Sequence, residues 1–150
     1  MRNRLDQNDY AIAHEAIRQV GAEAYSDEVY HCLSGGEKQK VLIARAIAQQ
    51  SPILMLDEPT ANLDIRNQME IMHLLKRLNE GGKTVIAIMH DINLAARFID
   101  RYIIMKQGRV VKTGNIHTIF NEALLSEIYE TNIVIERDIH NIPYQMLAEK

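Results

Sequence analysis

Two short stretches contain residues whose types and spacing could do chemistry. Leu33-Ser34-Gly35-Gly36-Glu37 can open a helix whose bare amides face an anion, and Ile53-Leu54-Met55-Leu56-Asp57-Glu58-Pro59-Thr60 can end a buried strand in two carboxylates. Ser34 is a good N-cap residue and Glu37 falls at the third helical position, so the pair forms a capping-box pattern. Gly35 and Gly36 add no side chain, which lets a ligand come close to the N–H groups of the first turn. Backbone donors combined with the positive end of the helix dipole make a phosphate site. In the second stretch the apolar run reads as a strand covered on both faces of a parallel sheet, stopped by two acids and a proline. Adjacent acids at the carboxyl end of such a strand suit a divalent cation and a general base.

The elements that must position these residues follow from hydrophobic spacing. Ile12, Ala16 and Val20, with Ala13 and Ile17 alongside, predict a helix over 8–20 that stops at Gly21. Residues 21 to 31 are polar and irregular and deliver the chain to Ser34. A helix from Gly36 to about Gln49 is expected to turn Val41, Leu42, Ala44, Ile47 and Ala48 toward a neighbour, and Ser51-Pro52 ends it because a residue before proline leaves the helical region. After the acids, Ala61-Asn62-Leu63-Asp64 is a turn before a second amphipathic helix with Ile71, Leu74, Leu75 and Leu78 as its apolar stripe. Val85 to Met89 reads as another buried strand ending at His90-Asp91, and Asp91 can cap the helix carrying Leu94, Ala95 and Phe98. Strand, helix, strand, helix predicts an α/β fold, a parallel sheet with crossover helices. Asp57, Glu58 and His90 then all fall at carboxyl ends of strands, where such sheets gather their functional residues. Further on, Lys106-Gln107-Gly108-Arg109 joins a hairpin, two short helices are expected between Ile116 and Tyr129, and strands near Ile133 to Ile135 and Tyr144 to Leu147 close the chain.

Composition narrows the function classes. The chain has 150 residues, 47% of them apolar, enough to bury a core. A formal charge of −3 gives no basic footprint, so no nucleic-acid partner is expected. The single cysteine, Cys32, cannot form an internal disulfide, which fits a reducing compartment. No apolar run approaches the roughly 20 residues needed to span a bilayer, and Met1-Arg2-Asn3-Arg4 leads into polar residues rather than a secretory signal. His14, His31, His73, His117 and His140 show no metal-ligand spacing.

Each candidate has an ordinary reading. Ser-Gly-Gly-Glu can be a surface turn, Asp57 a carboxylate that caps a turn, His90 a polar strand terminator and Asp64 a plain helix N-cap. What favours chemistry is their order: the glycine turn, one helix, the acid pair, then the histidine one strand–helix unit later.

In this form and order the motifs resemble those of the ATP-binding cassette (ABC) family. The resemblance implies a parallel P-loop NTPase-type (RecA-like) sheet, incomplete, together with the end of an α-helical arm. Residues 1–50 would be the end of the helical signature subdomain and residues 51–150 the C-terminal half of the nucleotide-binding core. It also implies ATP and Mg²⁺ as ligands: Asp57 holds the metal, Glu58 orients or deprotonates the attacking water, and His90 contacts the γ-phosphate. Ser34, Gly35, Gly36 and Glu37 touch ATP held by a second nucleotide-binding subunit in a head-to-tail dimer, and Asp64 communicates across that interface. Transmembrane permease subunits would be further partners, at the cytoplasmic face of the cell membrane. His90-Asp91-Ile92-Asn93-Leu94-Ala95-Ala96-Arg97, the Gly108 hairpin and the segment Glu122 to Tyr129 resemble the branch that imports iron chelates, haem or cobalamin.

One expected part has no match. None of the seven glycines completes G-x-x-x-x-G-K-[ST]; Gly82-Lys83-Thr84 looks like its tail, but Arg77 stands at the first glycine and the segment runs from helix to strand. The isolated chain is therefore expected to hydrolyse ATP negligibly and to lend its signature to a partner. Two alternatives are a non-catalytic truncated cassette and a lobe of a chromosome-maintenance ATPase. The second predicts a heptad pattern that residues 1 to 32 do not sustain.

Overall fold

The computed structural model describes residues 6–148, so the expectation for Met1 to Arg4 lies outside the described residues. The chain separates into two compact units, Met1–Met89 and His90–Lys150, dividing just after the second strand.

The first unit begins with α1, Gln7–Val20, where Asp6 and Asp9 cap each other's backbone N–H and Gly21 ends the helix in the left-handed region at φ 67°. Two 3-10 turns, Glu23–Tyr25 and Tyr30–Cys32, lead to α2, Gly35–Ala48. Then come β1, Ile53–Asp57, α3, Ile65–Glu80, and β2, Thr84–Ile88. The strands pair in parallel with Leu54 opposite Val85 and Asp57 opposite Ile88, so α3 is the expected crossover helix. Its predicted stripe of Ile71, Leu74, Leu75 and Leu78 is buried, joined by Met72.

Two expectations about burial are corrected. On α2 the inward residues are Ile43, Ala44 and Ile47, while Leu42 is 44% exposed, because α1 and α3 pack on a face rotated from the expected one. The strands are not covered on both faces either. Ile53, Met55, Ile86 and Ile88 share one side of the ladder and lie open, Met55 at 74% exposure. The other side is the covered one among the described residues, with Leu54 buried there, and β1 and β2 pair only with each other among those residues. Parallel strands ordinarily need a layer on each face.

The second unit starts with the short helix α4, Ile92–Ala96, capped as expected by Asp91. The hairpin β3, Tyr102–Lys106, and β4, Arg109–Gly114, turns through Gln107 and Gly108 at φ 50° and 73°. Paired left-handed residues at a two-residue loop match the strand twist. Two helices, α5, Ile116–Ile119, and α6, Glu122–Tyr129, precede the antiparallel pair β5, Ile133–Arg137, and β6, Pro143–Leu147. Buried Ile119, Phe120, Leu125 and Ile133 make this unit's core. The Asn93 side chain exchanges two bonds with the Gln145 backbone, at 3.1 and 2.7 Å, and so fastens α4 to the edge of β6.

Candidate functional site

The glycine turn folds as its residues dictate. Ser34 is the N-cap of α2: the Glu37 N–H donates to Ser34 Oγ at 3.4 Å and the Ser34 N–H donates to Glu37 Oε2 at 2.8 Å. The helical ladder begins with the Lys38 N–H on the Ser34 carbonyl, which leaves the amides of Gly35 and Gly36 ahead of it. Ser34 and Gly35 are exposed, whereas Gly36 is buried. Bonds from the Ser34 side chain and backbone hold the Glu37 carboxyl below the usual glutamate range. An electronegative group placed before this first turn would meet two backbone donors and the positive end of a 14-residue helix.

The acids end β1. Asp57 is the last strand residue and exposed; the chain then turns at Glu58, whose φ of 46° is left-handed. The Glu58 N–H donates to the Ile88 carbonyl at 3.1 Å, and its own carbonyl accepts from Ala61. Pro59 is fully buried and Thr60 is 7% exposed, with the Gln68 side chain donating to the Thr60 carbonyl at 3.3 Å. A buried proline and a bonded carbonyl fix this turn, so both carboxylates emerge on the solvent side at the carboxyl end of the sheet.

Asp64 caps α3, receiving the Asn67 N–H at 2.8 Å on Oδ1 and Asn67 Nδ2 at 3.0 Å on Oδ2. A Cβ added to Gly36 would stand 2.7 Å from Asn67 Cγ, and one added to Gly35 would stand 3.4 Å from Leu63 Cδ2. The turn at Asp64 and the start of α2 are therefore seated on each other. Sequence reasoning singled out Ser34, Gly35, Gly36, Glu37 and Asp64 but passed over Asn67. The available signal was an amide at the third position after a capping aspartate.

His90 is exposed and opens the second unit, one residue before the Asp91 cap. Asp57 and Glu58 belong to the first unit together with the signature turn. Among the described residues no group of three or more His, Cys, Asp or Glu forms a ready-made metal cluster. Asp57 and Glu58, both exposed at the strand end, offer the one or two carboxylates that Mg²⁺ takes alongside phosphate oxygens and several waters.

A parallel strand pair with a crossover helix, acids at its carboxyl end and a capped glycine turn before a helix fit the P-loop NTPase type of fold, which the likeness to solved ATP-binding cassettes shows. Residues 2–61 match the ABC transporter family. The chain is 39% identical over 136 residues to the iron(3+)-hydroxamate import ATP-binding protein FhuC of Bacillus subtilis (strain 168), covering 90% of this chain and 51% of that protein. It superposes on a metal-chelate-type ABC transporter in an inward-facing conformation with a TM-score of 0.86 at 23% identity, over 97% of this chain and 59% of the other, a likeness of fold. A dimeric ATP-binding cassette in a post-hydrolysis state, bound to ADP and Pi, superposes with a TM-score of 0.63 at 38% identity, over 77% of this chain and 50% of that one. The chain belongs to the ABC transporter ATP-binding family. It spans about half the length of the curated relatives it matches.

Proposed function

We propose that this chain supplies the signature (Ser34 to Glu37), Walker B (Asp57 and Glu58), D-loop (Asp64) and switch-histidine (His90) parts of an ATP-hydrolysing subunit that drives an importer of iron chelates, haem or cobalamin. The observation that carries the reading is the start of α2: a capped Ser34 with exposed Gly35 beside it, backed by the Asp64 turn. In this reading Ser34, Gly35, Gly36 and Glu37 meet the γ-phosphate of ATP held by a second nucleotide-binding subunit. On nucleotide held by its own half of the dimer, Asp57 holds Mg²⁺, which when bound offsets the charge of the phosphate oxygens. Glu58 orients the water and takes its proton as the oxygen attacks the γ-phosphorus. The bond from that phosphorus to the β–γ bridging oxygen breaks, giving ADP and phosphate. His90 donates to a γ-phosphate oxygen. The relative's import role and the dimeric cassette bound to ADP and Pi support this assignment. The working site is the cytoplasmic face of the membrane, where permease subunits form the passage; no helix among the described residues is long and apolar enough to cross a bilayer.

The test adds purified chain to a full-length cassette whose own signature serine has been replaced, with MgATP present. Turnover rises with the native chain, stays flat with Ser34→Arg, and survives Glu58→Gln, because the acids act on nucleotide held by their own subunit. No rise with native chain, or a rise that Ser34→Arg leaves intact, overturns the reading.

A further inference from the structure

We infer that Asn67 is a positioning residue that makes the Asp64 turn and the start of α2 one rigid body. Both carboxylate oxygens of Asp64 are engaged by Asn67, one by its N–H at 2.8 Å and the other by its side-chain amide at 3.0 Å. Those two bonds fix the amide plane and leave Asn67 Oδ1 turned the other way, toward Gly36. There the side chain fills the space a Cβ would occupy, 2.7 Å from Cγ and 3.3 Å from Cβ, with Oδ1 nearer still. Gly36 is thus demanded by a neighbour thirty-one positions along the chain, not by its backbone angles. Leu63, just before Asp64 in the chain, meets Gly35 only at ordinary van der Waals distance, 3.4 Å from where a Cβ would stand. Asn67 therefore carries the link from Asp64 to the start of α2, and a displacement of Asp64 is passed through it to the donors there.

The functional meaning of this tie rests on the phosphate reading above, but the tie can be measured without any nucleotide. In a double-mutant cycle, Gly36→Ala lowers the melting temperature by roughly 5 °C or more with Asn67 present. In the Asn67→Ala background, where space has been cleared, it costs far less. Additive effects overturn the inference. Amide hydrogen exchange at Gly35 and Gly36 rises in Asn67→Ala although the chain still melts cooperatively; unchanged exchange also overturns it. In the partner assay Asn67→Ala loses roughly tenfold to a hundredfold in kcat with KM for MgATP little changed. If the native chain stimulates no turnover, the phosphate reading fails while the cycle still reports on the tie.

Discussion

The backbone N–H of Glu58 donates to the carbonyl of Ile88 at 3.1 Å, carrying the β1–β2 ladder one residue beyond Asp57. Glu58 is therefore held by a strand bond on its backbone while its φ of 46° swings the side chain out of the strand direction. A residue that must be both bonded and left-handed is over-determined by its surroundings. Glu58→Gln should keep the melting curve of the native chain. Glu58→Val should lose about 1–2 kcal/mol in chemical denaturation, since a β-branched side chain resists that backbone region. Equal stability of the two variants would show that the turn relaxes freely.

Ser34 and Glu37 cap each other, and Ser34→Ala should cost about 0.5–1 kcal/mol, toward the low end because the Oγ bond is long. The pH response follows from Glu37. Its folded-state pKa lies below the ordinary value of 4.5, so its contribution is present above that value and is lost as pH falls through the folded pKa. The melting temperature of Glu37→Gln should fall less steeply than that of the native chain below about pH 4.5. Parallel acid profiles for the two proteins would refute this.

Tyr102 is 8% exposed, and its hydroxyl donates to the Ala95 carbonyl at 3.1 Å across the second unit's core. Burial, with the nearby Asp100 charge, pushes the phenol from 10.0 up to about 12. The folded state thus keeps this proton longer than the unfolded state does. Its stabilisation is complete below pH 10 and is lost as pH rises toward about 12. Tyr102→Phe should lose about 1 kcal/mol at neutral pH through the broken bond and show a shallower alkaline decline, measured by thermal melts from pH 8 to 11.

The open side of the strand pair predicts concentration-dependent association. Ile53, Met55, Ile86 and Ile88 are between 47% and 74% exposed on one face, beside strand edges unpaired within the described residues. Met55→Glu should raise the concentration at which sedimentation or light scattering detects self-association. It should change stability by less than about 0.5 kcal/mol, because the side chain already faces solvent. Clean monomeric behaviour of the native chain at high concentration would contradict the prediction.

What the sequence determined by itself is whatever depends on near neighbours. The Ser34–Glu37 box, the Asp64 and Asp91 caps, the stop at Gly21, the Gln107-Gly108 turn and the stripe of α3 are all set by residues within about four positions of each other, where geometry is fixed by the helix or turn itself. The order of motifs added the fold class and the family. Tertiary structure decided the rest, because burial depends on what packs against a surface. The same apolar spelling, Ile53 to Leu56, serves equally for a strand covered twice or once, and only the packing shows that Leu54 is buried while Met55 is bare. Likewise Gly36 looks like a residue chosen for a ligand's approach. In the folded chain its missing side chain makes room first for Asn67, a contact between distant positions that no local spacing encodes.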